Sequence, residues 1–368
     1  MYESAFPEDS QRFVDYYYEW KTKDNEVIAM EGAGEDSSFH VVVHLNPYTL
    51  AINGNSREIP YIVAVATDPR FRRQGKMAQV MGQALRDMEL RGVPFTFLLP
   101  ADPAYYRGQG FVFFPCQEYL DTGGVCIAQE QERQELQAAS LDSAAWKEAR
   151  LEALEPAGWE EMCPEALEPS RWEKARQEEA AEMAGFANHV LEQRCGIFIR
   201  RDAGYYRRLS AELEAEHGGV MLQRAQGSVS GVLLYSLSGT HGHTAEVREL
   251  LLADDVPKEE AVQICRDALR GAGVAADAVR FTSSRMMVRL TSLEALVPLL
   301  YSSHPVLLEA EVSDPVIAAN NGRFRIEIDC DGGRVLRTGY VGGFQKMDIA
   351  ELTRKLFAGT SVYLNEWV

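Results

Sequence analysis

A mixed α/β protein, with two α/β units in succession and an α+β unit at the end, is predicted by three observations. Over residues 1–125, runs of β-branched residues alternate with amphipathic helical stretches. Over about 181–284 the order strands, helix, strand comes again. From about 285 the pattern changes to short strands around an Asp331-Gly332-Gly333 turn. With 368 residues and a hydrophobic content of 46%, the chain has enough apolar material for two or three domains.

EDSQRFVDYYYEW reads as a helix that exposes its acids and hides its aromatics. FHVVVHLNPYTLAI and YIVAVAT read as strands. KMAQVMGQALRDMELRG places Met77, Val80, Met81, Leu85 and Met88 on one helical face and stops at Gly92. PFTFLLP is a second buried strand, closed by Pro100. Residues 126–180 turn rich in Glu, Ala and Gln, with Pro156, Pro164 and Pro169 as interruptions, and read as a pair of surface helices forming a linker. AGYYRRLSAELEAEH is a helix, GVMLQRA, GVLLYSLSG and AEVRELLLAD are strands, and PKEEAVQICRDALRGAG is a helix ending at Gly271 and Gly273 before the strand AVRFTSS. The expected division is 1–125, 126–284 and 285–368.

Charge and cysteine usage exclude several classes. Asp+Glu number 55 against Lys+Arg 37, a formal net charge of −18. Nucleic acid and anionic membranes are poor partners for such a surface, whereas amines are attracted; the acidity also serves solubility. Met1–Trp20 lacks the charged-then-apolar order of a signal peptide, and no apolar run is long enough to span a bilayer. Cys116, Cys126, Cys163, Cys195, Cys265 and Cys330 are scattered without CxxC spacing, which points to a reduced, cytoplasmic protein. His241 and His243 in SGTHGHT read as part of a turn, with no third metal ligand in evidence, and no GxSxG elbow is present.

One stretch departs from the acidic background. VAVATDPRFRRQGKM, residues 63–77, runs from a strand through Arg70, Arg72 and Arg73 to Gly75 and the start of a helix. Helix starts offer free N–H groups and the positive end of the dipole, which together suit pyrophosphate. Arginines add forked donors, and a glycine lets phosphate approach the backbone. Neither GxxxxGK[ST] nor GxGxxG occurs here, so this is a phosphate loop of another kind. Solvated arginines at a helix start are the alternative.

The stretch resembles motif A of the GCN5-related N-acetyltransferases (GNAT), whose core is R/Q-x-x-G-x-G/A. Arg72, Gly75 and Met77 fall on its defined positions; Met77 departs from the usual Gly or Ala, and a bulkier residue there recurs in the Eis-like branch. The resemblance implies that Val65, Ala66 and Thr67 contact the pantetheine arm of acetyl-CoA. Arg72, Arg73, Gln74, Gly75, Lys76 and Met77 would hold its pyrophosphate. PADPAYYRGQGFVFF matches the family pattern of a Tyr four residues before Gly-Phe, making Tyr106 the general acid that protonates the CoA thiolate; Tyr105 competes for the role. The Eis-like order is a GNAT domain, a second GNAT-like domain without the CoA motif, and a C-terminal sterol-carrier-like α+β domain. The resemblance therefore implies tandem GNAT folds followed by a sterol-carrier-like unit.

In that branch the α-carboxylate of the last residue, here Val368, is the proposed base, and Glu366 is a competing carboxylate. The implied activity is acetyl transfer to a small-molecule amine, aminoglycoside- or polyamine-like, by a homo-oligomer without nucleic-acid, membrane or metal partners. The alternative is a non-catalytic protein whose sterol-carrier-like unit holds a lipid or other hydrophobic ligand.

Overall fold

The computed structural model describes residues 2–7, 9–32, 38–115, 171–238, 244–254, 256, 258–271, 273–274, 278–281, 285–340 and 342–367. Residues 126–170 of the expected linker, Val368 and the His241–His243 turn lie outside the described residues; the linker's last part holds a strand, Arg171–Lys174, and a 3-10 turn, Gln177–Glu179, in place of the expected surface helix. The chain opens with α1 (Tyr2–Ala5) and α2 (Gln11–Tyr16), the latter capped by Ser10, whose hydroxyl accepts from Phe13 N. The single helix expected over 8–20 is instead shorter: after Tyr16 it widens into one π turn, Tyr17–Lys21, and tightens into the 3-10 turn Thr22–Asp24. The π turn carries both Tyr17 and Lys21 inward.

Three antiparallel strands come next, β1 (Glu26–Glu31), β2 (Phe39–Ile52) and β3 (Asn55–Thr67). Asn53 and Gly54, at φ 46° and 82°, close the β2–β3 hairpin, the residue pair a two-residue turn of this hand requires. After them stand α3 (Lys76–Leu90), β4 (Phe95–Leu98), α4 (Ala104–Arg107) and β5 (Val112–Phe113). Beyond residue 170 are β6 (Arg171–Lys174), α5 (Ala180–Arg194), β7 (Ile197–Ile199) and α6 (Ala203–Ala215). The meander β8 (Gly219–Ala225), β9 (Ser228–Ser238) and β10 (Thr244–Leu252) leads to α7 (Lys258–Gly271) and β11 (Ala278–Phe281). The last elements are β12 (Met287–Leu290), α8 (Leu293–Leu296), β13 (Val306–Ser313), β14 (Gly322–Asp329), β15 (Gly332–Arg337), β16 (Gln345–Asp348), α9 (Ile349–Phe357) and β17 (Val362–Tyr363).

These form a mixed α/β architecture with three sheets. The largest runs β17-β7-β2-β3-β4-β12-β5, with β1 also on β2. It draws strands from all three expected segments: β12 lies between β4 and β5, antiparallel to both, and β7 and β17 extend the opposite edge. The second sheet, β11-β10-β9-β8-β6, repeats a topology of the first. In each, three antiparallel strands lead into a helix and then a strand parallel to the third (β1-β2-β3-α3-β4 and β8-β9-β10-α7-β11). The third sheet is β15-β14-β13-β16.

Alternation along β2 sends Val41, Val43 and Leu45 to one face, where Val80, Met81, Leu85 and Met88 of α3 cover them. Each such burial contributes about 1.5–3 kcal/mol. Tyr48, Leu50 and Ile52 point to the other face and join a core shared with Met183 and Leu191 of α5, Tyr205 and Tyr206 of α6, and Phe357 of α9.

Candidate active site

β3 and β4 share only two register pairs, Tyr61 with Phe97 and Ile62 with Leu98; beyond these they part. At the parting β3 carries a bulge. His44 pairs with Val63 but Val42 pairs with Ala66, so one extra residue is accommodated, and Ala64 takes φ 50°. A left-handed alanine costs free energy and persists only where packing enforces it, here in the cluster of Ala64 with Tyr2, Val14 and Tyr17. Among the described residues no strand pairs with β3 on its β4 side beyond Ile62. Backbone groups of Val63–Thr67 on that edge are available to an extended ligand.

The strand leads into a turn, Pro69–Phe71, then Arg72, and α3 begins after Gly75. Arg73 (φ 59°) and Gly75 (φ 75°) are both left-handed and flank Gln74, a backbone pattern that gathers N–H groups into a concavity. Gly75 is the N-cap, with no side chain to accept from the first N–H groups of α3. A Cβ on Gly75 would meet nothing within 4 Å, so this side of the backbone faces open space.

The neighbouring cations differ in their engagements. Arg70 donates to both oxygens of Asp68 and holds that carboxyl down at about 2. Lys76 Nζ lies 2.8 Å from His40 Nδ1 and over the Phe71 ring. Arg72 donates only its Nε, to Thr67 O at 3.1 Å. Arg73 makes no hydrogen bond or ion pair to a described residue. An open cavity of about 300 Å³ adjoins the loop, lined in part by Ser38, Phe39, Thr67 and Arg72. Exposed guanidinium groups, orphan N–H groups and a glycine facing space fit a pyrophosphate.

Tyr106 lies in α4, only 7% exposed, edge-on to Phe111 with ring centroids 5.9 Å apart; Tyr105 is 61% exposed. Burial, with a smaller contribution from Tyr105, pushes the Tyr106 phenol up to about 12. Its hydroxyl makes no hydrogen bond to a described residue. It therefore stays protonated at neutral pH and retains a donor to give.

On the β2 face that carries Tyr48, three polar side chains stand at alternate positions, His44, Asn46 and Tyr48. Tyr17 Oη and Asn25 Nδ2 lie 3.0 and 3.3 Å from His44 Nδ1. Because an amide Nδ2 only donates, Nδ1 accepts, and burial lowers the ring's pKa. Asn46 pairs in register with Tyr61, in the row just inside the parting of β3 and β4. It is 4% exposed, and both its amide atoms lack a hydrogen-bond partner among the described residues.

Beyond it lies a buried polar network. Tyr48 Oη donates to Glu366 Oε2 at 2.6 Å and Tyr205 Oη to Glu366 Oε1 at 2.8 Å. Lys21 Nζ donates to Tyr48 Oη at 2.7 Å and lies 3.9 Å from both Glu212 and Glu366. Burial raises the Glu366 carboxyl above its ordinary range, against the opposing pull of Lys21.

The structure thus brings Val65, Ala66 and Thr67 to the open edge and Arg72–Met77 to the helix start. Sequence reasoning missed Lys21, His44, Asn46 and Tyr48. The polar residues spaced by two within the apolar strand FHVVVHLNPYTL were the available signal. Among the described residues no cluster of His, Cys, Asp or Glu could hold a metal, and no helix is long and apolar enough to cross a membrane.

Comparison with known proteins agrees with this geometry. The family described as "Acetyltransferase (GNAT) domain" matches residues 1–114. A GCN5-related N-acetyltransferase from Anabaena variabilis superposes with TM-score 0.65 at 14% identity, covering 97% of this chain and 86% of that one. A probable N-acyltransferase of unknown function from Enterococcus faecalis gives TM-score 0.65 at 13% identity, covering 96% and 84%. Eis1 from Mycobacterium abscessus gives TM-score 0.55 at 14% identity, covering 94% and 86%. At these identities the likeness is one of fold. No curated protein matches the sequence. Residues 1–114 are thus similar to the GNAT acetyltransferase domain, whose enzymes use acetyl-CoA as acyl donor.

Proposed function

We propose that this enzyme moves an acetyl group from acetyl-CoA directly to a primary amine of a small cationic acceptor, aminoglycoside- or polyamine-like. The observation that carries the reading is the junction at residues 62–77. There a bulged strand edge opens beside β4 and leads, within a few residues, to a cationic, glycine-capped helix start. Acetyl-CoA supplies an activated thioester when bound. Val65, Ala66 and Thr67 offer backbone groups to its pantetheine arm, and the Arg72–Met77 loop holds its pyrophosphate. An N–H freed at the bulge polarises the thioester carbonyl. Tyr106 gives its proton to the departing sulfur.

Two features support a cationic acceptor. The net charge of −18 attracts amines, and Glu212 and Glu366 lie buried on the side of the sheet that carries His44 and Asn46. Both Glu366 oxygens accept tyrosine hydroxyls, so this carboxylate is engaged in the fold. The proton of the attacking amine is assigned to the Val368 α-carboxylate, on the family resemblance. Extending the chain by one residue beyond Val368 should abolish turnover while the melting temperature stays put. A cytoplasmic homo-oligomer, with a sterol-carrier-like unit at 285–368, completes the reading.

The test is a screen of primary amines, spermine and kanamycin among them, with thiol release from acetyl-CoA as the readout. On the amine that is turned over, Tyr106→Phe should lose about a hundredfold in kcat, and Tyr105→Phe less than twofold. Thiol release from none of the amines, or an unchanged kcat for Tyr106→Phe, contradicts the proposal.

A further inference from the structure

The turn that carries Tyr106 is gripped by a residue far away in sequence. Arg289, on β12, is fully buried between β4 and β5. Its Nη2 donates to both oxygens of Asp314, at 2.7 and 2.8 Å, and its Nη1 donates to Leu290 O. Asp314 is itself fixed. It accepts from the backbone N of Val316 and Ile317 and from Asn320 Nδ2, at 2.9, 3.1 and 3.0 Å. That leaves the Nε–H, which donates at 2.6 Å to Gln109 O.

Gln109 belongs to the Tyr106 turn. Its N–H donates to Tyr106 O, the Gly110 N–H to Arg107 O, and the Phe111 N–H back to Tyr106 O. Gly110 sits at φ 85°, and a Cβ there would lie 2.8 Å from Arg289 Nε and 2.8 Å from Ile349 Cγ2. The backbone is thus pressed against the guanidinium, and only glycine permits the approach. A displacement of Gln109 moves the short hydrogen-bonded turn as a whole.

We propose that Arg289 is a positioning residue for Tyr106, holding the acid's turn through Gln109 O while Asp314 fixes the guanidinium. The inference rests on the reading of Tyr106 as the general acid. A buried ion pair is a weak source of stability, since apolar residues of similar volume commonly replace both partners at little cost. What such residues cannot reproduce here are the donors to Gln109 O and Leu290 O and the acceptor that Asp314 offers Val316 N, Ile317 N and Asn320 Nδ2. The pair's contribution is accordingly to geometry.

The deciding measurement needs no ligand. With ¹³Cζ-labelled tyrosine and the Tyr106 resonance assigned through Tyr106→Phe, the phenol is titrated in wild type and in the double variant Arg289→Met/Asp314→Leu. The phenol, near 12 when buried, should fall toward the ordinary 10 once the turn is loose and water reaches it. On the amine identified by the screen, the double variant should lose about tenfold in kcat, with KM for acetyl-CoA changed less than twofold. Combining Tyr106→Phe with the double variant should give a total loss equal to that of Tyr106→Phe alone, and losses that multiply overturn the inference.

Arg289→Lys guards against misfolding of the double variant. It keeps a cation for Asp314 but has no N–H at the Nε position that reaches Gln109 O, and should show the same fall in the titration. An unchanged Tyr106 titration in either folded variant overturns the inference, as does a wild-type kcat in the double variant when Tyr106→Phe is impaired. A wild-type kcat in Tyr106→Phe itself overturns the acid assignment, and this inference with it.

Discussion

The two units built on the order strands, helix, parallel strand use one backbone device in opposite ways. In the first, β3 is bulged at Ala64, and the connection to α3, Asp68–Gly75, is cationic and ends in glycine. In the second, β10 is also bulged, between Val247 and Glu249, but residues 253–257 before α7 read ADDVP, acidic and without glycine. There the bulge residue Arg248 is buried. Its guanidinium donates to Glu212 and Glu216 and lies 5.1 Å from the centre of the Trp367 ring, while its carbonyl accepts from Asn365 Nδ2 at 2.5 Å. The second bulge is closed by residues near the end of the sequence; the first has its neighbouring strand edge and helix start open. A bulged strand is thus a general scaffold, and the loop between it and the next helix decides whether it serves a ligand or the fold.

The largest effect expected from this contrast is on stability. Arg248→Met leaves Glu212 and Glu216 without their arginine and loosens Trp367, and should destabilise the protein by about 3 kcal/mol in urea unfolding. Its affinity for acetyl-CoA should be unchanged. Weakened acetyl-CoA binding in a folded Arg248→Met protein would break the division of labour between the bulges.

A smaller effect of opposite sign is expected at Asn46. Its carboxamide is buried without partners among the described residues, so Asn46→Leu should stabilise the ligand-free protein by about 1 kcal/mol in the same assay, while raising KM for the amine. A destabilised variant would show that the amide supports the fold.

The smallest effect is a slope with pH. Burial raises the Glu366 carboxyl in the folded state above 4.5, so the folded protein binds more protons there than the unfolded chain does. This group's contribution to stability therefore falls as pH rises from 4.5 through the raised value. Unfolding of Glu366→Gln followed across that window should show a flatter profile, and an unchanged slope would place the effect elsewhere.

The open junction was legible in the sequence because a helix start and the loop before it are built from contiguous residues. Arg72, Arg73 and Gly75 lie within four positions, and Tyr106 stands close to Gly110-Phe111. The strands over 39–52 and 55–67 were equally plain, since β-branched side chains on a buried sheet leave a direct compositional trace. Long-range pairing was not legible. Nothing in MVRL indicates that residues 287–290 enter the first sheet beside β4, because strand pairing depends on partners 189 to 195 positions away. Glu366 meets Tyr48 across 318 positions, and Tyr205 of α6 donates to the other carboxylate oxygen. α5 and β7 escaped notice as well: one is an alanine-rich helix beside the Glu-rich stretch, the other only three residues long.

The central claim is that the first junction, and it alone, holds acetyl-CoA. Calorimetric titration of acetyl-CoA into wild type and into Arg73→Ala/Gly75→Asp tests it directly. The account predicts one mole bound per chain in wild type and an affinity lowered at least a hundredfold in the variant, about 2.7 kcal/mol, with the melting temperature little changed. Two moles bound per chain, or an affinity unaffected by the substitutions, would contradict it.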